Sequence, residues 1–265
     1  MHIILTGATG LVGSIALDIL LSDETVDQVT ILSRRSVPQA DGHDKAQVII
    51  HDDLAVYDEH VLAKLRGAHA CIWAVGPPYM AVSKAEYEYA HIELPVLAAK
   101  VYATLSDGFN FVYVSHDMCE EAREKYITGV KARAEDALLQ LHHDPSKRYG
   151  AESRSPPLAS LRVYLVRPCA IDYASHTAIQ PYIRRPLPLA KKLTTYIMIP
   201  IARYFDWQML GKSQDLGRVL VDLAASQGAD LDNVPGVARG GRSIGVVGTK
   251  AWVGQRGKAG EARGG

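Results

Sequence analysis

Three cysteines in 265 residues, Cys71, Cys119 and Cys169, are too few and too far apart for a disulfide framework. No CxxC pair or Cys/His cluster is present, so no metal site is expected. Both features suit a reducing, cytoplasmic compartment. No apolar run approaches the roughly 18 residues that span a membrane. The longest candidate, Thr194 to Ile201, is far too short. The chain opens on Met1-His2-Ile3-Ile4-Leu5 and runs straight into glycines, with neither the charged start nor the cleavage site of a signal peptide. There is no internal repeat. Net charge is also lacking, because 29 basic residues balance 29 acids. That argues against bulk electrostatic binding to nucleic acid or to anionic membrane.

The balance hides an asymmetry. Six of the 29 basic residues and one of the 29 acids fall after residue 235, which leaves the rest at a net of −5. The segment 236–265 is also rich in glycine, and its composition predicts a loosely ordered terminus. The length suits one large domain, or one domain with a small annex.

Short apolar runs alternate with helical patterns through the first two thirds. Strands are expected at His2–Thr6, Gln28–Ser33, Ala46–Ile50, Ala68–Val75, Asn110–Ser115 and Leu161–Val166. Helices are expected at Leu11–Leu21, Val56–Leu65, Ser83–Leu105 with Pro95 as a kink, Glu120–Leu141 and Ser213–Ala225. Apolar strands alternating with helices indicate an α/β fold with a doubly wound parallel sheet. The polar, proline-containing stretch His142–Ser160 reads as a surface loop. After Pro168 the prolines at 181, 186, 188 and 200 break the pattern. The expected organisation is a nucleotide-binding domain over 1–175, a small substrate-binding cap over 176–235, and the tail over 236–265.

The sharpest motif is Thr6-Gly7-Ala8-Thr9-Gly10-Leu11-Val12-Gly13. It follows a strand and opens a helix, the context in which such glycines bind a dinucleotide. Gly7 permits the tight turn, Gly10 lets backbone approach a pyrophosphate, and Gly13 lets helix and sheet pack closely. The helix N-terminus then offers free N–H groups to phosphate. The second strand ends in Ser33-Arg34-Arg35. A site for NAD usually carries an acid here, to bind the ribose 2′-hydroxyl. Two guanidinium groups favour a 2′-phosphate instead, hence NADP(H).

On these residues the chain resembles the extended and atypical short-chain dehydrogenases/reductases, and most closely their NmrA/epimerase-like branch in its fungal form. The resemblance covers roughly residues 1 to 175. It implies that Asp53-Leu54 contacts adenine and that Ala74-Val75-Gly76 lies along the cofactor. It implies that Ser115 is the catalytic serine, that Lys131 holds the ribose, and that Arg167-Pro168-Cys169-Ala170 lies near the nicotinamide. The family also places a tyrosine four residues before the lysine. Here that position is Ile127, and Tyr126 stands one residue further away. On a helix of about 100° per residue that extra step turns Tyr126 aside. A helix irregularity near Gly129 would bring it back. His116, Asp117, Asp172, Tyr173 and Tyr79 are the other candidate proton donors.

The resulting expectation is a reductase that passes a hydride from NADPH to a carbonyl or imine of a bulky small molecule, in secondary metabolism. A non-catalytic NADP(H) sensor and a redox-neutral isomerase or cyclase are the alternatives. A homodimer through the long helices is expected only by analogy with related folds.

Overall fold

The structure, a computed structural model, describes residues 1–116, 126–143, 161–183 and 208–261. The expected loop beyond His143, residues 184–207 of the expected cap, Asp117, Cys119 and the start of the helix expected from Glu120 lie outside them.

Among the described residues, eight strands form the main sheet. They are β1 (His2–Thr6), β2 (Gln28–Ser33), β3 (Ala46–Ile50), β4 (Ala70–Trp73), β5 (Asn110–Val114), β6 (Arg162–Val166), β9 (Val237–Ala238) and β10 (Ser243–Ile244). Their order is β3-β2-β1-β4-β5-β6-β10-β9. Every pair is parallel except β10 with β9. From β1 the order runs outward to β3 on one side and to β6 on the other. The crevice between the carboxyl ends of β1 and β4 is therefore the topological switch point, where ligands bind in open α/β sheets.

Both faces of the sheet are covered, and the strands read accordingly as continuous apolar runs. Side chains alternate between faces along a strand. Ile3 and Leu5 of β1, Ile72 of β4 and Val112 of β5 point into one core. Helices α1 (Leu11–Ser22) and α6 (Ser213–Ala224) close it with Leu17, Leu20, Leu216, Leu220 and Leu223. Ile4, Cys71, Trp73, Phe111 and Tyr113 point the other way. There α2 (Glu59–Leu65), α4 (Leu94–Tyr102) and α5 (Tyr126–His143) supply Leu65, Ala98, Ala99, Tyr102, Ala134 and Leu138. Helices α1 and α6 touch closely at Gly217, where a Cβ would lie 2.7 Å from Ile19 Cγ1. A smaller parallel pair joins β7 (Ala170–Asp172) to β8 (Leu210–Lys212).

The single helix expected over Ser83–Leu105 is interrupted. A capping box opens α3 (Lys84–Glu88): Ser83 Oγ accepts from the Glu86 N–H, and the Glu86 carboxylate accepts from the Ser83 N–H. A π-helical turn follows at Tyr89–Glu93, in which the Leu94 N–H reaches back five residues to the Tyr89 carbonyl. Pro95 explains why the ladder loosens here. It has no N–H to give the His91 carbonyl. That carbonyl accepts instead from the Tyr113 hydroxyl, at 3.1 Å.

The region expected as a cap begins with a clip. His176, 3% exposed, holds Ser213 Oγ through Nδ1 at 3.0 Å and Asp18 Oδ2 through Nε2 at 2.8 Å. It thereby ties the short turn Thr177–Tyr182 to α1 and to the start of α6. Ser213 is buried, so this Asp–His–Ser string presents no nucleophile to solvent. Helix α6 itself belongs to the layer that covers the main sheet.

Residues 236–261 differ from the loose terminus that their composition predicts. They supply β9, β10 and α7 (Val246–Glu261). The glycines serve a tight turn, where Arg239, Gly240 and Gly241 take φ of 56°, 60° and 74°. Three of the basic residues, Arg239, Arg242 and Arg256, are paired within the fold. Arg242 meets Asp230 at 2.6 Å, and Arg256 meets Asp222 at 2.7 Å, where Trp252 also donates. Deleting 236–265 removes the strand beside β6 and uncovers the core around Ile244. The expected result is loss of a cooperative thermal transition. An unchanged melting temperature would restore the loose-tail reading.

Candidate functional site

The turn from β1 into α1 is shaped by what cannot fit there. Gly7 has φ +77°, and a Cβ on it would lie 2.4 Å from the Ala74 carbonyl oxygen. A Cβ on Gly13 would lie 2.0 Å from the Gly7 carbonyl oxygen. Gly10 donates to the Gly7 carbonyl at 2.9 Å and caps α1 with no side chain of its own. The first turn of α1 carries no acid and no side-chain cap. Its N–H groups and the positive end of its dipole are therefore left to an outside anion.

That N-terminus opens into a cleft of about 410 Å³. Gly7, Thr9 and Gly10 form one wall, with Ala74, Val75 and Gly76 beside them. Arg34 and Arg35 follow from the end of β2, and Asp52, Asp53 and Leu54 from the segment after β3. Among the described residues no carboxylate pairs with Arg34 or Arg35, and both are exposed. Asp53 turns one carboxylate oxygen onto the Ala55 N–H at 2.8 Å. The sequence reading missed the facing wall, Val82, Glu86, Tyr89, Ala90 and Leu94. Their spacing repeats at helical intervals and was available as a signal. Leu11, Val12 and Gly13 sit in the first turn of α1, behind the cleft lining. Pro168, Cys169 and Ala170 lie apart from the cleft, where the Ala170 N–H donates to the Met209 carbonyl at 3.1 Å. The residues present fit a dinucleotide. Glycines let the turn and the neighbouring strand approach where a Cβ would clash, an uncapped helix terminus opens to the cleft, and Arg34 and Arg35 line it with no carboxylate partner among the described residues.

Ser115, Lys131 and Tyr126 are each held by other partners. Ser115, 6% exposed, donates to Glu135 Oε1 at 2.5 Å. Glu135 is 2% exposed and is also held bidentately by Arg167, through Nε at 2.9 Å and through Nη2. Arg239 approaches the same carboxylate at 3.8 Å. Lys131, one turn earlier on α5, points elsewhere. Its ammonium donates to the Val114 carbonyl at 3.3 Å and lies over the Tyr113 ring. Loss of solvation pushes it down to about 8, with the Glu135 charge opposing in part. Tyr126 is turned away from Lys131, toward α3. Its hydroxyl donates to the Lys84 carbonyl at 3.1 Å, and its ring meets Tyr79. Burial and the nearby Glu88 carboxylate hold this phenol above its ordinary value, the reverse of activation. His116 is exposed just after β5. Asp172 is buried in β7 and accepts from the Ala174 N–H at 3.2 Å.

Behind Gly76 lies His91, 3% exposed, with its ring 4.1 Å from that of Tyr87. A Cβ on Gly76 would meet His91 Cε1 at 2.7 Å. Burial, and then the Lys131 charge, push this imidazole down to about 3, so it is neutral at physiological pH.

Two predictions follow from this geometry. Glu135→Ala leaves Arg167 without its buried partner, which costs about 3–5 kcal/mol. Chemical denaturation checks this, and a loss under about 1 kcal/mol would contradict it. For Lys131, the folded state binds fewer protons than the unfolded chain between about 8 and the ordinary 10.5. The stability of the natural protein, less that of Lys131→Met, therefore rises from pH 8 to about pH 10. A flat difference over that range would contradict the buried placement.

No protein-family model matches the chain. It is 52% identical over 267 residues to the leucinostatins biosynthesis cluster protein T of Purpureocillium lilacinum, covering 98% of each. It is 31% identical over 140 residues to the botcinic acid biosynthesis cluster B protein 16 of Botryotinia fuckeliana, covering 49% of this chain and 80% of that one. Among solved structures it is similar to a dTDP-glucose 4,6-dehydratase from Streptomyces venezuelae with NAD bound. There the TM-score is 0.61 at 15% identity, over 93% of this chain and 75% of that one. The PhqB reductase domain of Penicillium fellutanum gives 0.58 at 16% identity, over 92% and 66%. A short-chain dehydrogenase/reductase from Saccharomyces cerevisiae gives 0.56 at 17% identity, over 92% and 95%. The chain belongs to the family of the leucinostatins biosynthesis cluster protein T, built on the fold of the extended short-chain dehydrogenases/reductases.

Proposed function

We propose that this protein binds NADP(H) and reduces a carbonyl or imine carbon of a bulky small molecule in the biosynthesis of a secondary metabolite. One observation carries the cofactor reading: the uncapped N-terminus of α1 and the unpaired Arg34-Arg35 open into one cleft. The backbone from Gly10 to Gly13, with Leu11 and Val12, would receive the pyrophosphate. Arg34 and Arg35 would receive the 2′-phosphate through charge-assisted hydrogen bonds. Asp53 and Leu54 would flank the adenine, and Ala74 to Gly76 the middle of the molecule. Lys131 would hold the nicotinamide ribose only on leaving the Val114 carbonyl, and Pro168 to Ala170 would border the reacting end only of a cofactor that extends past the present cleft lining. The relatives named for biosynthesis clusters support the secondary-metabolite setting.

When bound, NADPH supplies a hydride. The chain's own contribution at the acceptor is constrained by Ser115 and Tyr126. The Ser115 hydroxyl is taken by Glu135, and the Tyr126 hydroxyl by Lys84. An iminium acceptor suits such a site, because a hydride added to its carbon gives a neutral amine without a proton at that step. The same two hydrogen bonds favour, as the second reading, a nucleotide-binding protein without redox turnover.

Two measurements test this. Replacing Arg34 and Arg35 with alanine should weaken NADPH at least about tenfold more than NADH, since a charge-assisted hydrogen bond contributes about 1.5–3 kcal/mol. Equal losses would remove the 2′-phosphate assignment. Stopped-flow absorbance at the reduced nicotinamide band, with cyclic iminium ions, ketones and quinones, should show oxidation by an iminium. Tight binding with no oxidation by any of them would establish the second reading.

A further inference from the structure

We propose that Tyr89 is the platform on which the purine base of the bound nucleotide stacks. This rests on the reading of the cleft as an adenine dinucleotide site and names a residue that sets affinity there.

Tyr89 begins the π-helical turn between α3 and α4. That turn exists because Pro95 withholds an N–H from the ladder, and it places Tyr89 five residues from Leu94. Both line the cleft, with Ala90 between them on the same wall. They line the same cleft as Asp52–Leu54 and as Arg34 and Arg35 at the end of β2. Tyr89 is 42% exposed, one of the few large apolar side chains left so. Nearby rings are satisfied by one another: Tyr79 meets Tyr87 at 5.5 Å and Tyr126 at 5.6 Å, and Tyr87 meets His91. Among the described residues no ring lies against Tyr89.

An aromatic face left half in water on a cleft wall gains by covering itself with another flat ring. The rest of the lining near it is aliphatic, from Leu54, Val82 and Leu94, apart from His51, whose ring already lies against Tyr57 at 5.8 Å. Stacking on Tyr89 does not read the 2′ position. It therefore separates base affinity from the 2′-phosphate selectivity of the arginines.

The test is calorimetric binding of NADP⁺, NAD⁺ and adenosine 2′,5′-bisphosphate to the natural protein and to Tyr89→Phe, Tyr89→Leu and Tyr89→Ala. Base–aromatic stacking predicts that Tyr89→Ala and Tyr89→Leu lose about tenfold affinity or more for every ligand that the natural protein binds, by similar factors. Tyr89→Phe should keep affinity within about twofold, because stacking needs the ring and not the hydroxyl. The side chain is exposed, so the variants should melt with the natural protein. A Tyr89→Leu variant that binds as well as the natural protein would overturn the stacking role while leaving the cofactor reading intact. A natural protein that binds none of the three nucleotides would overturn both.

Discussion

The approach of the Gly7 carbonyl to the backbone of Gly13, with Ala74 pressed against Gly7 from the next strand, is the contact on which the site depends. A Cβ on Gly7 or Gly13 would lie within 2.4 Å of backbone. Because none is present, β1, the first turn of α1 and the end of β4 converge at the switch point of the sheet. The convergence gives the cleft its floor and leaves the α1 terminus open. The second wall depends on a different defect. Pro95 loosens the ladder between α3 and α4, and the π turn carries Tyr89 and Leu94 to the cleft.

The other side of the sheet edge is organised by Glu135. This buried carboxylate gathers Ser115 from the end of β5 and Arg167 from the end of β6, with Arg239 from the turn between β9 and β10 close by. A buried ion pair is specific rather than strongly stabilising, and losing one partner is expensive. The network fixes three strand ends and occupies the Ser115 hydroxyl. Lys131 and Tyr113 make a separate string that ends on the His91 carbonyl, behind Gly76 of the cleft lining. At this edge of the sheet the polar side chains hold one another.

The parallel sheet was legible because its strands are buried on both faces, and their apolar runs end at glycines or helical patterns. The turn from β1 into α1 was legible for a local reason: glycines at fixed spacing report steric exclusion directly. For Tyr126 the sequence left two directions open, aside by one helical step or restored by an irregularity near Gly129; in the structure its hydroxyl donates to the Lys84 carbonyl. The π turn was not legible, because Pro95 reads equally as a kink inside one helix. Glu135 was not, because its burial depends on Arg167 and Arg239, distant in sequence. The segment 236–261 misled for a related reason. Arg242 and Arg256 look solvated in a glycine-rich stretch, yet each meets an aspartate contributed by the preceding segment or by α6. Composition registers the charge and not its partner.

The central claim is that the cleft between the β1–α1 turn and the π turn receives an adenine dinucleotide phosphate. A crystal structure grown with NADP⁺ tests it most directly. The account predicts the pyrophosphate on the backbone of Gly10 to Val12 and the 2′-phosphate within hydrogen-bond distance of Arg34 or Arg35. A nucleotide bound elsewhere, or a 2′-phosphate that touches neither arginine, would contradict it.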